Sequence, residues 1–457
     1  MSDDGAFARS PRLTRRALLV GAGALLAARS ADARSREMPG GALTFRMPWP
    51  MSSLDPHRAD DVACAILGDA IFETLYAQDG TVPVLAEAEP EITEKEVRIT
   101  VRARLRTARG RAFGARDAAA SIARARSIAA RPWLYEVPAP RTDGATLVFA
   151  SKEPAKDAPK IARALSSPLV AMVPLGFRPE APDGTGPFRA DLRADGVSLI
   201  RNMHAASGPS LLDGVTVKRA PDLGSSLRAF EGGEDDLGWL GAGLHEPRPG
   251  SLRFDVGAVA FAVLRTGRDA GAWDAPGTAQ SLADGIDPSR LGHLSVGPPW
   301  ASDGNAKWGG PATALLVRED SPWLVELARA VAAALTTPSS DVTVRPVSAQ
   351  EIGDKRTSRA FALMIDAFRP YGRGSIAEAG ALAATDDVQR AQELLRRPHA
   401  RPSVEPALRT LARTLRVGVL GEIRVAGGRI PDVHLDVSPR TPGVDWGNVR
   451  RRPRGPA

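Results

Sequence analysis

Apolar and polar residues alternate strictly between residues 96 and 106. Valine, isoleucine, alanine and leucine occupy one set of positions, and arginine and threonine occupy the other from Arg98 onward. A period of two residues is typical of a strand with one face buried and one in water, so we predict a strand at 96–106. Apolar residues recur at helical spacing between 62 and 75 and predict an amphipathic helix. The Ala-rich segment 117–130 predicts a second helix, which Pro132 ends.

The middle of the chain consists of short apolar segments separated by Gly, Pro and Asp turns. Three of these segments predict strands, at 145–150, 197–202 and 215–219. The run 256–264 is apolar without alternation, and it therefore predicts a strand that is covered on both faces.

From residue 312 onward, predicted strands alternate with predicted helices. Ser321 and Pro322 are typical of the N-cap and first position of a helix at 323–335, and Ser348 with Glu351 forms a capping box that opens a shorter helix. The remaining predicted elements are strands at 312–317, 342–347, 360–368, 417–425 and 433–437, and helices at 386–397 and 404–415. This order implies a parallel sheet wrapped by helices, hence a distinct α/β lobe.

The start of the chain has the pattern of an export signal. Arg15 and Arg16 precede an apolar run at 17–28 and a stretch of small residues at 30–33. Twelve residues rise only about 18 Å as a helix, short of the roughly 30 Å hydrocarbon core of a membrane. We interpret 1–33 as a secretory signal peptide. The paired arginines resemble a twin-arginine signal. The general secretory route and an ordinary disordered basic N-terminus are the alternatives.

Composition narrows the class of protein further. No other segment approaches eighteen uninterrupted apolar residues, so we predict a mature protein that is soluble and periplasmic or extracytoplasmic. A chain of 457 residues exceeds the size of a single core, and we expect at least two domains. The net charge of +7 comes from scattered arginines and does not predict nucleic-acid binding. Cys64 is the single cysteine, and its apolar neighbours predict a buried thiol.

Nine short motifs occur in an order that resembles a known family. They are 54–57 (LDPH), 70–75 (AIFETL), 82–87 (VPVLAE), 115–124 (ARDAAASIAR), 184–188 (GTGPF), 212–217 (LDGVTV), 230–237 (FEGGEDDL), 282–291 (LADGIDPSRL) and 444–449 (VDWGNV). Together they resemble the extracellular solute-binding proteins of peptide and nickel ABC importers, family 5. The turn at 106–113 and the segment 273–281 depart from the family pattern, and the region after 368 is short. These departures leave the identity of the ligand open.

The resemblance implies a two-lobed, periplasmic-binding-protein-like α/β fold, with mixed sheets flanked by helices and a ligand cleft between the lobes. Lobe I would comprise 34–255, including an inserted subdomain at about 68–185. Lobe II would comprise 256–415, and 416–457 would return to lobe I. The glycine turn at 184–188 excludes bulky residues if its φ angles are positive.

The function implied by the resemblance is capture of a peptide or similar small solute by lobe closure and delivery to ABC permease subunits. We expect a monomer that needs no cofactor and is not an enzyme. A transport-inactive sensor or accessory protein, a binder of nickel or a metal complex, and an exported enzyme on the same scaffold are the alternatives.

Candidate ligand residues follow predicted strands, where backbone groups are free to bind a solute. Aromatic residues and Met suit a tolerant pocket, Arg369 could pair with a carboxylate, and Asp366 could meet an amine. The candidates are Trp49, Met51, Trp239, Asp366, Phe368, Arg369 and Tyr371.

Other chemistry finds little support in the sequence. The six histidines are dispersed, without an H-E-x-x-H motif, so no metal site is predicted, and His57 is expected at the surface or as a capping residue. Neither a G-x-S-x-G elbow nor a phosphate loop occurs, and we assign no catalytic residue.

Overall fold

The computed structural model describes residues 40–452 apart from 240–247, 292–293, 295, 298–304, 397–403 and 439–441. Its strands are β1 Ala42–Met47, β2 Tyr76–Ala77, β3 Val82–Pro83, β4 Glu91–Ile92, β5 Glu96–Thr100, β6 Arg141–Asp143, β7 Thr146–Ala150, β8 Phe188–Arg193, β9 Gly196–Arg201, β10 Gly214–Arg219, β11 Leu237–Trp239, β12 Leu252–Thr266, β13 Val296–Gly297, β14 Thr313–Arg318, β15 Val342–Val347, β16 Leu363–Phe368, β17 Val417–Arg429, β18 Val433–His434 and β19 Arg450–Arg451. Its α-helices are α1 Val62–Ile71, α2 Ala115–Ile128, α3 Pro154–Ala164, α4 Leu223–Glu231, α5 Thr278–Asp284, α6 Pro322–Leu335, α7 Ala349–Ser358, α8 Ser375–Asp386, α9 Val388–Arg396 and α10 Val404–Ala412.

One large mixed sheet joins strands from both ends of the chain. Its order is β15, β14, β16, β12, β17, β11, β1, β10, β9, β8, and β13 pairs beside β17. β14 pairs in parallel with both β15 and β16, while β12 is antiparallel to β16 and β17. Helices flank the sheet, and the predicted mixed α/β fold is confirmed.

Strands β12 and β17 connect the two ends of this sheet. β12 has 15 residues and β17 has 13, and they pair antiparallel along most of their length. The far part of β12 also pairs with β16, and the last residues of β17 pair with β11. Their mutual register shifts at three places, between Asp255 and Ala258, Ala258 and Ala260, and Ala262 and Val263. Such irregularities bend a strand and increase its twist, so the two connecting strands depart from a regular ladder at these places.

A second body of structure lies between residues 75 and 172. Strands β4, β5, β7 and β6 form a separate four-stranded sheet, and α2 and α3 pack on it. Its buried side chains form a hydrophobic cluster of their own, distinct from the cluster around the large sheet. The lobe and subdomain boundaries stated above remain predictions.

The predicted elements are confirmed in type, with changes in extent. The strand predicted at 96–106 ends at Thr100, because Arg104 takes a left-handed backbone with φ 61°. Helix α8 was missed, since the sequence pattern indicated a helix only from 386. Cys64 is buried and unpaired, as predicted. None of the helices in the described ranges is long and apolar enough to cross a membrane.

The glycine turn at 184–188 has a different cause from the one considered above. Neither Gly184 nor Gly186 is among the glycines with positive φ. Instead, a Cβ on Gly184 would lie 2.1 Å from the Ile71 carbonyl oxygen, and one on Gly186 would lie 2.6 Å from the Ile71 carbonyl carbon. Close approach to the end of α1, rather than backbone conformation, therefore requires glycine at both positions.

Candidate ligand site

Two large openings adjoin each other around Trp133. One is lined by 132–137 and α3 on one side and by α8 and α9 on the other, and it holds about 1140 Å³ of space with its mouth included. The other lies between 78–81 and 371–377 and holds about 980 Å³ on the same basis. We call the two together the aromatic groove. Its walls come from the 75–172 body and from the segment after β16, so a solute held there would touch both.

Trp133 forms the centre of the aromatic groove. Its indole N–H donates a hydrogen bond to the Ala164 carbonyl at 3.0 Å, which fixes the ring against the end of α3. The ring stacks on Tyr371, with centroids 5.3 Å apart and planes 19° apart. The Arg163 guanidinium lies over Trp133 at 5.8 Å. This stack brings a residue of the 75–172 body against the segment after β16.

Tyr371 is held rigidly and cannot act as a base. Its side chain is buried, and its hydroxyl donates to the Ala129 carbonyl at 3.3 Å. Burial raises the pKa of Tyr371, so the phenol stays neutral. Tyr371 is therefore a neutral ring that supports Trp133 from within the protein.

The mouth of the aromatic groove carries more positive than negative charge. Four cationic side chains line it against two carboxylates: Lys160, Arg163, Arg373 and Arg396 against Asp79 and Glu136. The Arg396 guanidinium lies 4.4 Å from the centroid of the Tyr135 ring, which is 49% exposed. Lys160 and Glu136 are 3.8 Å apart and largely exposed, a weak pairing in water. Exposed aromatic faces beside guanidinium groups suit a solute with a flat or apolar part and a negative group.

Of the residues predicted from sequence, Tyr371 alone lines the aromatic groove. Phe368 stacks on Phe261 with ring centroids 5.2 Å apart. The Arg369 guanidinium donates to the Pro56 and Arg58 carbonyls at 3.2 and 3.4 Å. The ends of these side chains thus contact the protein's own chain, and their ligand roles remain predictions.

Asp366 lies in an ion network that joins distant parts of the chain. It pairs with Arg265 at 3.1 Å and with Arg356 at 2.9 Å. Arg356 also reaches Asp60 at 3.0 Å, and Arg58 pairs with the same carboxylate at 2.9 Å. Burial alone would lower the pKa of Arg356, but its two carboxylate partners hold it above the ordinary value. We call these five residues the Arg356 network.

Trp49 and Met51 are not among the residues that line the groove. Trp49 and Met51 are buried in the core of the large sheet, and the Trp49 ring packs against Trp323 at 5.1 Å. Trp239 ends β11, where its backbone pairs with Gly427, and its side chain lies outside the described residues. Arg15 and Arg16 of the predicted signal also lie outside the described residues.

His57 is a structural residue, contrary to the surface position expected from sequence. It is fully buried, with Nε2 2.8 Å from the Ala171 carbonyl and Nδ1 2.8 Å from Arg124. Burial lowers the pKa of His57 to about 4, so the ring is neutral, with Nε2–H donating and Nδ1 accepting. Both ring nitrogens are thus engaged. No cluster of three His, Cys, Asp or Glu side chains suited to a metal occurs in the described parts of the chain.

Sequence reasoning missed the two aromatic residues that open the site. Trp133 and Tyr135 follow Pro132 in a turn, where nothing in the local pattern requires a large apolar side chain. The available signal was a pair of aromatic residues close together in a turn after a helix, since apolar side chains exposed side by side mark binding surfaces more often than single ones do.

Comparisons with solved structures show which known proteins share the fold of this chain. No family model and no curated sequence matches the chain. Among solved structures, the PBP AgaA from A. tumefacien R10 with agropinic acid is 15% identical, with a TM-score of 0.66 over 91% of this chain and 99% of that one. NikA from Staphylococcus aureus with Ni(L-His)2 is 13% identical, at 0.64 over 90% and 99%. The oligopeptide-binding protein AppA from Bacillus subtilis with a nonapeptide is 13% identical, at 0.65 over 89% and 98%. The chain has the fold of these binding proteins along almost its whole described length.

Proposed function

We propose that this protein is the exported binding component of an ABC importer, and that it holds a small solute in the aromatic groove. The observation that carries the proposal is that the fold of solute-binding proteins extends over about nine tenths of the chain and nearly all of each neighbour. Export rests on the predicted signal at 1–33, and the mature protein would act as a periplasmic monomer that delivers its solute to a permease.

The mechanism we infer is capture by closure around the connecting strands. β12 and β17 are the elements that link the two ends of the large sheet, and their register shifts concentrate bending within a few residues. The groove walls belong to parts of the chain on opposite sides of these strands. A solute that touches both walls binds the closed form better than the open one, and it therefore shifts the population toward closure.

The groove itself favours a solute with an aromatic or apolar part and a carboxylate. Stacking on the exposed part of Trp133 and on Tyr135 would bury the flat part, and Arg163, Arg373 and Arg396 would face the charge. Peptides, agropinic acid and nickel–histidine complexes, the ligands of the structural neighbours, are the first classes to test.

A thermal-shift screen of the purified protein against these ligands, with sugars as a comparison class, tests the proposal. A solute that binds only the folded protein raises the melting temperature, and calorimetry then gives its affinity. Trp133→Leu and Arg396→Ala should lower that affinity about tenfold or more, because each removes a stacking or charged contact. Arg193→Ala, an exposed arginine at the β8–β9 hairpin, is the matched control and should bind as the wild type does. Equal affinity in all four proteins would exclude the groove.

The Arg356 network favours a second candidate, a sensor or accessory protein that is closed without a solute. Arg356 ties Asp60 to β16 through Asp366, so side chains of the protein itself already bridge the parts that a ligand would draw together. Small-angle scattering separates the two functions. A radius of gyration that falls when the solute of the screen is added supports transport by closure. An unchanged radius in the presence of saturating solute supports the accessory role.

A further inference from the structure

A separate pocket lies beside the N-terminus of α6. It is bounded by Trp49, Ser53 and Asp60 on one side and by Arg318, Ser321 and Leu324 on the other, and it holds about 660 Å³ with its mouth included. None of its lining residues is shared with the aromatic groove. We call it the α6 pocket.

Two residues that line the α6 pocket each carry a buried polar group without a partner in the protein. The Trp49 indole N–H and the Ser321 hydroxyl both belong to side chains that are 1% exposed, and neither makes a hydrogen bond. A buried donor left unsatisfied costs about 1–3 kcal/mol, so native proteins seldom keep two in one place without a use for them.

Ser321 occupies the N-cap position of α6, but its side chain does not cap the helix. It precedes α6 with φ −113° and ψ 92°, yet its side chain accepts no hydrogen bond from the first turn. The amides of Trp323 and Leu324 belong to the first turn, where no intrahelical carbonyl is available to them. The aligned peptide dipoles of this 14-residue helix also place partial positive charge at its N-terminus. The first turn of the helix contains no acidic residue that would balance that charge.

The charged side chains that line the pocket, Asp61 among them, already have partners. Asp61 accepts hydrogen bonds from the backbone N–H groups of Asp55 and Cys64 at 2.9 and 2.8 Å. Arg318 holds Asp320 in a bidentate pair at 2.7 and 2.8 Å. Arg58 holds Asp60 in the same way at 2.9 and 3.0 Å, and Arg356 adds a third contact to Asp60. The groups left to bind a guest are therefore an indole N–H, a hydroxyl and a helix N-terminus.

We propose that the α6 pocket is a binding subsite for a carboxylate group, held by the Trp49 indole N–H, the Ser321 hydroxyl and the N-terminus of α6. The pocket offers neutral hydrogen-bond donors and a helix N-terminus, which suit a ligand with a single negative charge. A doubly charged phosphate or sulfate would require at least one cationic side chain to balance its charge. The proposal does not depend on the solute of the aromatic groove. The carboxylate belongs either to the transported solute or to a separate small anion.

Acetate is the probe, and the indole N–H signals of the ¹⁵N-labelled full-length protein are the readout. The protein has eight tryptophans, and loss of one signal in Trp49→Phe assigns the resonance of interest. We expect that signal to shift saturably with acetate and not with isosteric, neutral acetamide. Ser321→Ala should weaken acetate binding about tenfold or more, the usual effect of losing one hydrogen bond to a charged group. The control Ser167→Ala removes a side-chain cap from a helical turn at 168–170, none of whose residues line the pocket, and it should leave acetate binding unchanged.

Three results would overturn the subsite: no saturable shift of the Trp49 signal, an equal response to acetamide, or wild-type acetate affinity in Ser321→Ala. Competition then separates the two sources of the carboxylate. If the solute found in the thermal screen displaces acetate, the carboxylate that occupies the α6 pocket belongs to that solute. If both bind together, the pocket takes a separate anion, and either outcome supports the subsite. Failure of the groove variants with acetate binding intact would refute the proposed function alone.

Discussion

Replacing Glu378 by glutamine should stabilise the protein above neutral pH and leave its stability unchanged in acid. Glu378 lies on α8, and its Oε2 atom is buried without a hydrogen-bond partner. Burial, and secondarily the like charge of Glu422 on β17, raises the pKa of Glu378 from 4.5 to about 7. The folded protein therefore binds this proton more tightly than the unfolded chain does.

The sign and size of the effect follow from that difference. Below pH about 4.5 the carboxyl is protonated in both states, and it contributes no pH-dependent free energy. As the pH rises from about 4.5 to about 7, the unfolded chain ionises freely while the folded protein does not, so stability falls. Above pH about 7 the loss of stability is complete. The pKa rises from 4.5 to about 7, and each pKa unit corresponds to about 1.4 kcal/mol, so the loss amounts to roughly 3 kcal/mol. Glutamine cannot ionise and should abolish this loss.

Urea denaturation at pH 4.5, 6 and 8 measures the effect as a difference in the free energy of unfolding between variant and wild type. Glu393→Gln is the matched control, because it removes the same charge from an exposed position on the neighbouring helix α9. A gain by Glu378→Gln of equal size at every pH would refute the reasoning, and so would a loss of stability at pH 8. Either result would mean that burial does not oppose ionisation of this carboxyl.

The order of strands and helices could be predicted from sequence because it depends on local periodicity. The connecting strands show where that reasoning stops. The apolar run predicted 256–264, whereas β12 begins at Leu252 and includes the exposed or half-exposed residues Arg253 and Asp255. There the strand persists through backbone pairing with β17, and burial contributes little, so hydropathy does not detect it.

The candidate site was less predictable, because a side chain's partner can lie anywhere in the sequence. Asp366 and Arg369 have the right chemistry at the right end of a strand, but their charges meet other parts of the same chain. Asp60 and Arg356, which complete that network, are 296 positions apart. Spacing along the sequence cannot distinguish a group awaiting a ligand from a group already paired within the fold. Trp133 was missed for a similar reason, since only the fold brings it against Tyr371.

Three further tests, which use four substitutions, probe the packing around these sites by urea denaturation. Arg356→Met should destabilise the protein by about 2 kcal/mol, because Asp366 and Asp60 lose their shared cation and keep only Arg265 and Arg58, and a change under about 0.5 kcal/mol would mean that water screens the network. Gly186→Ala should cost about 2–3 kcal/mol, because the new methyl group meets the carbonyl of Ile71 at 2.6 Å, and a neutral result would show that the turn can move away. The third test compares two helix caps. The Ser348 side chain accepts a hydrogen bond from the first turn of α7, so Ser348→Ala should cost about 1 kcal/mol. The Ser321 hydroxyl caps nothing and is buried without a partner, so Ser321→Ala should change stability by less than about 0.5 kcal/mol or raise it. Equal losses in the two variants would mean that Ser321 does cap α6, and the α6 pocket would then lack one of the two donors assigned to its carboxylate.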